Sequence, residues 1–183
     1  GQLEGHPYRD VFSTVYSDDE EGGHFAALAM KKRGRKDIVA VLGPQDNPAV
    51  VDRLRGYRAV LGEDLPDANV IYTGWNSGDG YQAMHQILAR EMAFDGVLCG
   101  SDRIAAGVIT ALNEAGLSVP ADVSVVGFDD HEIATRCVPA LTTVRQPLRE
   151  EGHMAANIAL DMIKGAEPTT SVMHMQLVQR DSL

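Results

Sequence analysis

Cysteine, basic residues and long apolar runs are all scarce in this chain of 183 residues. Two cysteines cannot form the framework of a small disulfide-stapled domain, and a chain of this length buries roughly 70% of its unfolded surface without one. Apolar runs reach only six or seven residues, whereas a membrane span needs about 20. The composition therefore predicts a globular protein without a membrane partner.

The two cysteines, Cys99 and Cys137, lie far apart in the sequence, and each has apolar neighbours. This placement is typical of reduced, buried thiols in a cytoplasmic protein. A disulfide or a metal pair is the alternative interpretation. The N-terminal residues show no basic segment followed by an apolar block, so no signal peptide is predicted.

The shortage of basic residues bears on nucleic-acid binding. Sixteen Lys and Arg stand against 26 Asp and Glu, and a net charge of −10 repels phosphate backbones unless the positive charge is concentrated. The one concentration, residues 31–36, falls where a helix is predicted to end, and cations there stabilise the helix dipole. Nucleic-acid contact is the alternative for this segment. The charge balance predicts no specific DNA binding by this chain alone.

Apolar patterning alternates between helical and strand periods along the chain. Helices are predicted at 22–33, 48–63, 81–92 and 101–115, and strands at 37–43, 69–74, 95–100 and 122–128. Successive strands start 26 to 32 residues apart, the length of a strand–helix–strand unit. Strands that are apolar throughout are buried on both faces. The pattern predicts an α/β fold with a doubly wound parallel sheet and flanking helices.

Polar side chains follow each of the four predicted strands. They are Asn47 after the first, Trp75 and Asn76 after the second, Ser101 and Asp102 after the third, and Asp129 and Asp130 after the fourth. Ligands of open α/β sheets bind outside the carboxyl ends of the strands. We therefore predict a site for a polyhydroxylated or heterocyclic small molecule. Helix capping by the Ser and Asp residues is the alternative role at each position.

Sequence motifs for catalysis are missing. The chain has no phosphate-binding loop, dinucleotide fingerprint, serine elbow or His-Glu-x-x-His motif, and its six histidines lack ligand spacing. We predict no enzymatic activity, no cofactor and no metal site. The acidic residues 18–21 precede a predicted helix and are interpreted as dipole partners and caps, with a cation site as the alternative.

Four segments together resemble the lactose-repressor (LacI) family of bacterial transcription regulators. They are GSDRIAAG at 100–107, AGLSVP at 115–120, DVSVVGFDD at 122–130 and PALTTVRQP at 139–147. RLRGY at 53–57, the acidic-Gly-Gly segment at 18–23 and LVQRDS at 177–182 support the likeness. The likeness extends from about residue 14 onward, and the joint order of the segments makes it specific.

The resemblance implies the C-terminal lobe of a type I periplasmic-binding-protein-like fold, in which two α/β lobes joined by three crossovers enclose a small ligand. Residues 1–16 would be a remnant of the N-terminal lobe with a crossover, 17–144 the effector-binding lobe, and 145–183 a crossover helix and a returning C-terminal strand. The effector would be a sugar or sugar derivative, and operator DNA would be bound only through a helix-turn-helix absent from this chain. A periplasmic sugar-binding protein of a transporter is the alternative, and a sugar-processing enzyme is a third interpretation.

The resemblance also implies particular site residues. Arg53 matches an arginine that points into the effector cleft, where its fork would bind paired hydroxyls or a carboxylate. Asp129 matches an effector-contacting aspartate, and Ser101 takes a place often held by asparagine. Tyr81 and Trp75 lie near an aromatic position of the cleft, where either would stack on a ring face. Core packing is the alternative for both aromatic residues.

A homodimer is the predicted assembly. On the helix at 101–115, Ala105, Ala106 and Gly107 form a second, small-residue face that a helix of another copy could approach. Regulators of the resembled family usually dimerise through this helix and the segment at 133–138. The helix after Pro147 would lack the sheet it should cover, which adds a further reason to associate. Packing within the same chain is the alternative for the small residues.

Overall fold

The computed structural model describes residues 11–90 and 92–183, and its centre is a six-stranded sheet with helices on both faces. The strands are β1 Thr14–Ser17, β2 Ile38–Leu42, β3 Val70–Tyr72, β4 Gly96–Cys99, β5 Ser124–Asp129, β6 Thr142–Arg145, β7 Thr170–Met173 and β8 Gln176–Val178. The helices are α1 Asp19–Lys32, α2 Pro48–Leu61, α3 Ser77–Leu88, α4 Asp102–Glu114, α5 Ile133–Arg136 and α6 Leu148–Ile163.

The strand order is β3-β2-β4-β5-β6-β8, in which the first five strands are parallel and β8 runs antiparallel to β6. Alternate residues of β2 enter two different cores. Val39 and Val41 pack with α3 and α4, and Ile38, Ala40 and Leu42 pack with α1 and α2. The predicted doubly wound parallel sheet, buried on both faces, is confirmed.

Two helices start earlier than the sequence predicts, because glycines near their starts suggest loops. α1 starts at Asp19, capped by Asp18, whose carboxylate accepts from the Glu21 N–H at 2.9 Å. A Cβ at Gly22 would lie 2.6 Å from the Phe128 ring, so glycine lets α1 approach the sheet closely. α3 starts at Ser77 with a capping box, and it ends at Leu88 rather than near residue 92.

The basic segment 31–36 closes α1 as predicted. Lys31 and Lys32 occupy the last turn, and Gly34 adopts a φ of +86° just beyond it. Arg35 extends to the start of β5, where its Nε donates to the Ser124 hydroxyl at 2.9 Å. At least one of these cations therefore has a structural role.

The two cysteines differ in burial and are not joined by a disulfide. Cys99 is fully buried in β4, as predicted. Cys137 is only half-buried, so that prediction is wrong for it, because it follows the short surface helix α5.

β1 and β7 form a parallel pair apart from the main sheet, and α6 lies against β1. The Ser13 hydroxyl lies 3.1 Å from the Met162 sulfur, and the Ser17 hydroxyl donates to Glu151. No residue of α6 is buried, and Leu148, Leu160 and Ile163 are all exposed. The domain boundaries at 16/17 and 144/145 and the covering of α6 by a second copy stay predictions.

The small-residue face of α4 packs within the chain. Ala105 is buried in the core shared with α3, and a Cβ at Gly107 would overlap the backbone of Ser77 and Tyr81. The interpretation of Ala105 and Gly107 as a free face for another copy is therefore wrong. Their small size lets α3 and α4 pack closely.

Gly107→Ala is expected to lower the free energy of unfolding by about 1–3 kcal/mol, because α3 must move to admit the methyl group. Gly152→Ala on α6 is the matched control, since a Cβ there meets no atom within 4 Å. It is expected to stabilise the protein by about 0.5–1 kcal/mol. Urea unfolding of both variants checks the pair, and a Gly107→Ala variant as stable as the parent would contradict the close contact.

Candidate functional site

Five parallel strands deliver their carboxyl ends to one edge of the sheet, and the order of the strands reverses between β2 and β4. In open α/β sheets ligands bind at such a reversal point. The loops after β2 and β4 meet there, since a Cβ at Gly100 would lie 3.1 Å from the backbone nitrogen of Gly43. By this rule the reversal point is the candidate ligand crevice, and it lies at the edge where the polar residues were predicted.

Arg53 projects from the buried face of α2 to this edge and is only 5% exposed. Its Nε donates to Asp19 Oδ1 at 2.8 Å, and its Nη1 donates to the carbonyl of Gly100. The guanidinium carbon lies 3.7 Å from the centre of the Phe128 ring, a cation–π contact. The sequence predicts an Arg53 guanidinium that is open to a ligand. In the structure, two of its three nitrogens already donate hydrogen bonds within the protein.

Asp129 ends β5 beside Arg53. Its Oδ1 accepts from Gln146 Nε2 at 2.5 Å and lies 3.7 Å from Arg53 Nη1. Burial raises the pKa of Asp129, and Arg53 and Gln146 oppose that rise. The side chain nevertheless remains 33% exposed, so this paired carboxylate is still accessible from outside the protein.

The backbone that presents Asp129 is unusual. Asp129 and Asp130 adopt φ values of 109° and 55°, a region that residues other than glycine rarely occupy. Asp130 anchors the turn by accepting from Arg145 at 2.6 Å and from Arg180 at 2.5 Å. Burial alone would raise the pKa of Asp130, but the hydrogen bonds and the positive charges of these two arginines outweigh burial and lower the pKa. Backbone strain of this kind persists only where contacts with neighbouring residues fix the conformation.

Ser101 lies next to Gly100 at the same edge and is buried. Its hydroxyl accepts from the Ile104 N–H at 3.2 Å and caps α4. The capping role considered from the sequence is therefore observed. Arg53, Ser101 and Asp129 all lie at the carboxyl edge, while an effector contact by Ser101 stays a prediction.

The two aromatic candidates lie in different places. The Trp75 ring lies over Gly43 at the end of β2, where a Cβ on residue 43 would overlap it, and Trp75 is 36% exposed. Tyr81 instead packs between α3 and α4, and its hydroxyl donates to Glu114 at 2.6 Å. The structure thus brings Trp75 to the crevice, and it shows no contact of Tyr81 with Arg53 or Asp129.

Two polar residues of the site were not predicted. Asp19 belongs to the segment interpreted as dipole partners and caps, with a cation site as the alternative. In the structure it is buried and bound to Arg53, and burial raises its pKa against the opposing effect of Arg53. Gln146 lies in the segment at 139–147 that resembles the LacI family, but no contact with the effector was predicted for it. The sequence places Asp19 just before a predicted helix without showing what its side chain faces, so no sequence signal identifies the pairing of Asp19 with Arg53.

Two further features of residues 11–90 and 92–183 concern a membrane span and a metal site. No helix in these ranges is long and apolar enough to cross a membrane. No group of three or more His, Cys, Asp or Glu side chains in these ranges is arranged to hold a metal ion.

Known proteins resemble this chain in both sequence and fold. Residues 27–183 match the family described as periplasmic binding protein-like domain. The chain is 36% identical to the HTH-type transcriptional repressor PurR of Salmonella arizonae and 35% identical to that of Escherichia fergusonii, over 98% of this chain and 54% of each repressor. It therefore spans about half the length of these curated relatives.

Solved structures show the same relationship. The transcriptional regulator CelR in complex with cellobiose superposes with a TM-score of 0.91 at 34% identity, over 98% of this chain and 56% of that one. A LacI family regulator from Enterococcus faecalis V583 with bound ribose superposes with a TM-score of 0.85 at 29% identity, over 93% and 62% of the two chains.

Proposed function

This chain belongs to the periplasmic-binding-protein-like family and is the effector-binding portion of a LacI-family transcriptional regulator, and from that premise we propose that it binds an uncharged sugar or sugar derivative in the crevice at the carboxyl edge. One observation carries the proposal. Asp129 is a partly exposed carboxylate, held in a strained turn beside Arg53 and at the same edge as Trp75.

Charge within the crevice favours a neutral ligand. The positive charge of Arg53 lies between the carboxylates of Asp19 and Asp129, so the three side chains together are negative when ionised. Phosphorylated or carboxylated compounds would therefore be repelled. A carboxylate that accepts hydrogen bonds suits ligand hydroxyls instead.

The residues have different proposed roles. Asp129 accepts from hydroxyls of the ligand, and Trp75 stacks on the apolar face of the sugar ring. Arg53 acts mainly by positioning Asp129, because its Nε and Nη1 already bond to Asp19 and Gly100. Ser101 borders the same crevice, and Tyr81 remains a weaker candidate because its hydroxyl is bound to Glu114.

Regulation is proposed to pass through Gln146. This residue lies just before α6, in the segment that leaves the main sheet, and it donates to the same Asp129 oxygen that faces Arg53. A ligand hydroxyl at Asp129 would compete with Gln146 and alter that segment. In the proposed division, residues 17–144 form the effector lobe, and residues 1–16 and 145–183 include the connections to a second lobe.

Operator DNA is proposed to be bound by a helix-turn-helix outside these 183 residues, in a homodimer. Eight residues of α4, α5 and the segment after α5 border a groove of about 280 Å³: Ala106, Ile109, Thr110, Asn113, Ile133, Arg136, Cys137 and Val138. Val138 is 80% exposed there. This groove, rather than the Gly107 face, is the proposed site of self-association.

A thermal-shift panel of uncharged sugars, including cellobiose and ribose, tests the proposed function, because a ligand that binds only the folded state raises the Tm. We expect a concentration-dependent rise with at least one uncharged sugar and none with its phosphorylated form. Asp129→Asn should abolish the rise, whereas Asp161→Asn on exposed α6 should leave it unchanged. An unchanged rise in Asp129→Asn, or no rise with any uncharged sugar, would contradict the proposal.

A further inference from the structure

Asp102 is a buried carboxylate that has no part in the effector contacts described above. It lies in the first turn of α4 and is completely inaccessible to solvent. Its Oδ2 accepts from the backbone N–H of His131 at 2.6 Å, and its Oδ1 accepts from the Thr143 hydroxyl at 2.5 Å. One side chain thus joins α4, the turn after β5 and strand β6.

The bond to His131 falls at the end of the strained Asp129–Asp130 turn. The two positive φ values are unfavourable for aspartate and persist only while the flanking backbone is held. Arg145 and Arg180 hold the turn through the Asp130 side chain, and Asp102 holds it through the main chain. Glycine at 127 leaves room for this arrangement, because a Cβ there would overlap the Asp102 carboxylate.

We propose that Asp102 is a positioning residue for the effector site: its carboxylate fixes the turn that presents Asp129, and protonation of that carboxylate weakens the hold. The inference rests on the proposed function, since the turn matters for binding only if Asp129 contacts the effector. A charged acceptor makes a stronger hydrogen bond than a neutral one, so the His131 N–H is held more firmly when Asp102 is ionised.

Asp102 changes its protonation state near neutral pH. Burial raises the pKa of Asp102 to about 7, against the opposing hydrogen bonds from Thr143 and His131. The titratable groups that act on this carboxylate from the surrounding elements are Asp129, Asp130, Cys99 and Cys137. Both other aspartates favour the protonated form of Asp102 when they are ionised.

Amide NMR of the chain as a function of pH tests the inference without any effector. The amide signals of residues 129–131 should shift with a common midpoint near pH 7. They should still shift together in Asp129→Asn, with a lower midpoint because one charge that favours protonated Asp102 is gone, and the titration should be absent in Asp102→Asn. No titration of these signals between pH 5.5 and pH 8.5, or its survival in Asp102→Asn, would overturn the positioning role.

Cellobiose then tests the consequence for binding. Its affinity should fall by about fivefold from pH 8 to pH 6, the ratio expected when one charge-assisted hydrogen bond becomes neutral. Asp102→Asn should remove that fall, whereas any part due to titration of Asp129 would remain. An equal fall in both proteins would overturn the role of Asp102. If the amide signals of the turn titrate as described but cellobiose binds at neither pH, cellobiose is not a ligand. The role of Asp102 in positioning the turn would still be supported.

Discussion

Replacing Arg53 by alanine is expected to lower the free energy of unfolding by about 3–5 kcal/mol, the usual cost of removing one partner from a buried ion pair. The loss is large because Asp19 and Asp129 would remain near each other without the cation that lies between them. The ring of Phe128 would also lose its contact with the guanidinium. Denaturant unfolding at neutral pH measures the change.

Arg55→Ala is the matched control for this experiment. Arg55 lies two residues along the same helix, bonds to Glu20 at 3.0 Å and Asp52 at 2.7 Å, and has a side chain that is 56% exposed. Surface ion pairs of this kind contribute about 0–1 kcal/mol. If both alanine variants lose the same small amount, Arg53 is not the centre of a buried charge cluster.

Asp102→Asn is expected to change how stability depends on pH. Because the pKa of Asp102 is about 7 in the folded protein and about 4 in an unfolded chain, the folded state holds the proton more tightly between those values. The ionised carboxylate therefore costs stability, and the free energy of unfolding falls as the pH rises from about 4 to about 7. Asparagine has no such charge to bury.

The free energy of unfolding of Asp102→Asn, measured relative to the parent, should therefore rise by about 3 kcal/mol from pH 5 to pH 8. This value is an upper bound that follows from the difference in pKa between the folded and unfolded states. Unfolding curves at both pH values give the quantity directly. Asp161→Asn, a substitution at an exposed position of α6, should show no comparable change with pH. A difference between Asp102→Asn and the parent that is the same at pH 5 and pH 8 would show that Asp102 does not titrate in this range.

Local patterns predicted the sheet well because its strands are short apolar runs buried on both faces. Ile38 to Leu42 are all buried, and alternate residues serve two cores, so an unbroken apolar run was the correct signal. Helix starts were predicted less well. The predicted starts are at residues 22 and 81, whereas α1 and α3 start at Asp19 and Ser77, and Gly22 and Gly80 each lie within a helix at a close contact with another element.

The candidate site could be located from the sequence, but its internal pairing could not. Topology alone brings residues that follow parallel strands to one edge, which is why Asp129 and Trp75 were found. The pairing of Arg53 with Asp19 depends on how α1 and α2 pack, since Asp19 and Arg53 are 34 residues apart. The direction of the Tyr81 side chain is set by its contact with Glu114 on α4, which no local pattern reveals.

Mapping amide shifts while an uncharged sugar is added tests the central claim most directly. The sugar that raises the Tm most should shift the signals of Gly43, Trp75, Ser101 and Asp129, at the carboxyl ends of four parallel strands. A separate surface groove of about 770 Å³ lies between α1 and β8, where Phe25, Leu28, Met175 and Leu177 line it, and it should be unaffected. Shifts confined to that groove, with the carboxyl edge unchanged, would contradict an effector site built around Asp129 and Arg53.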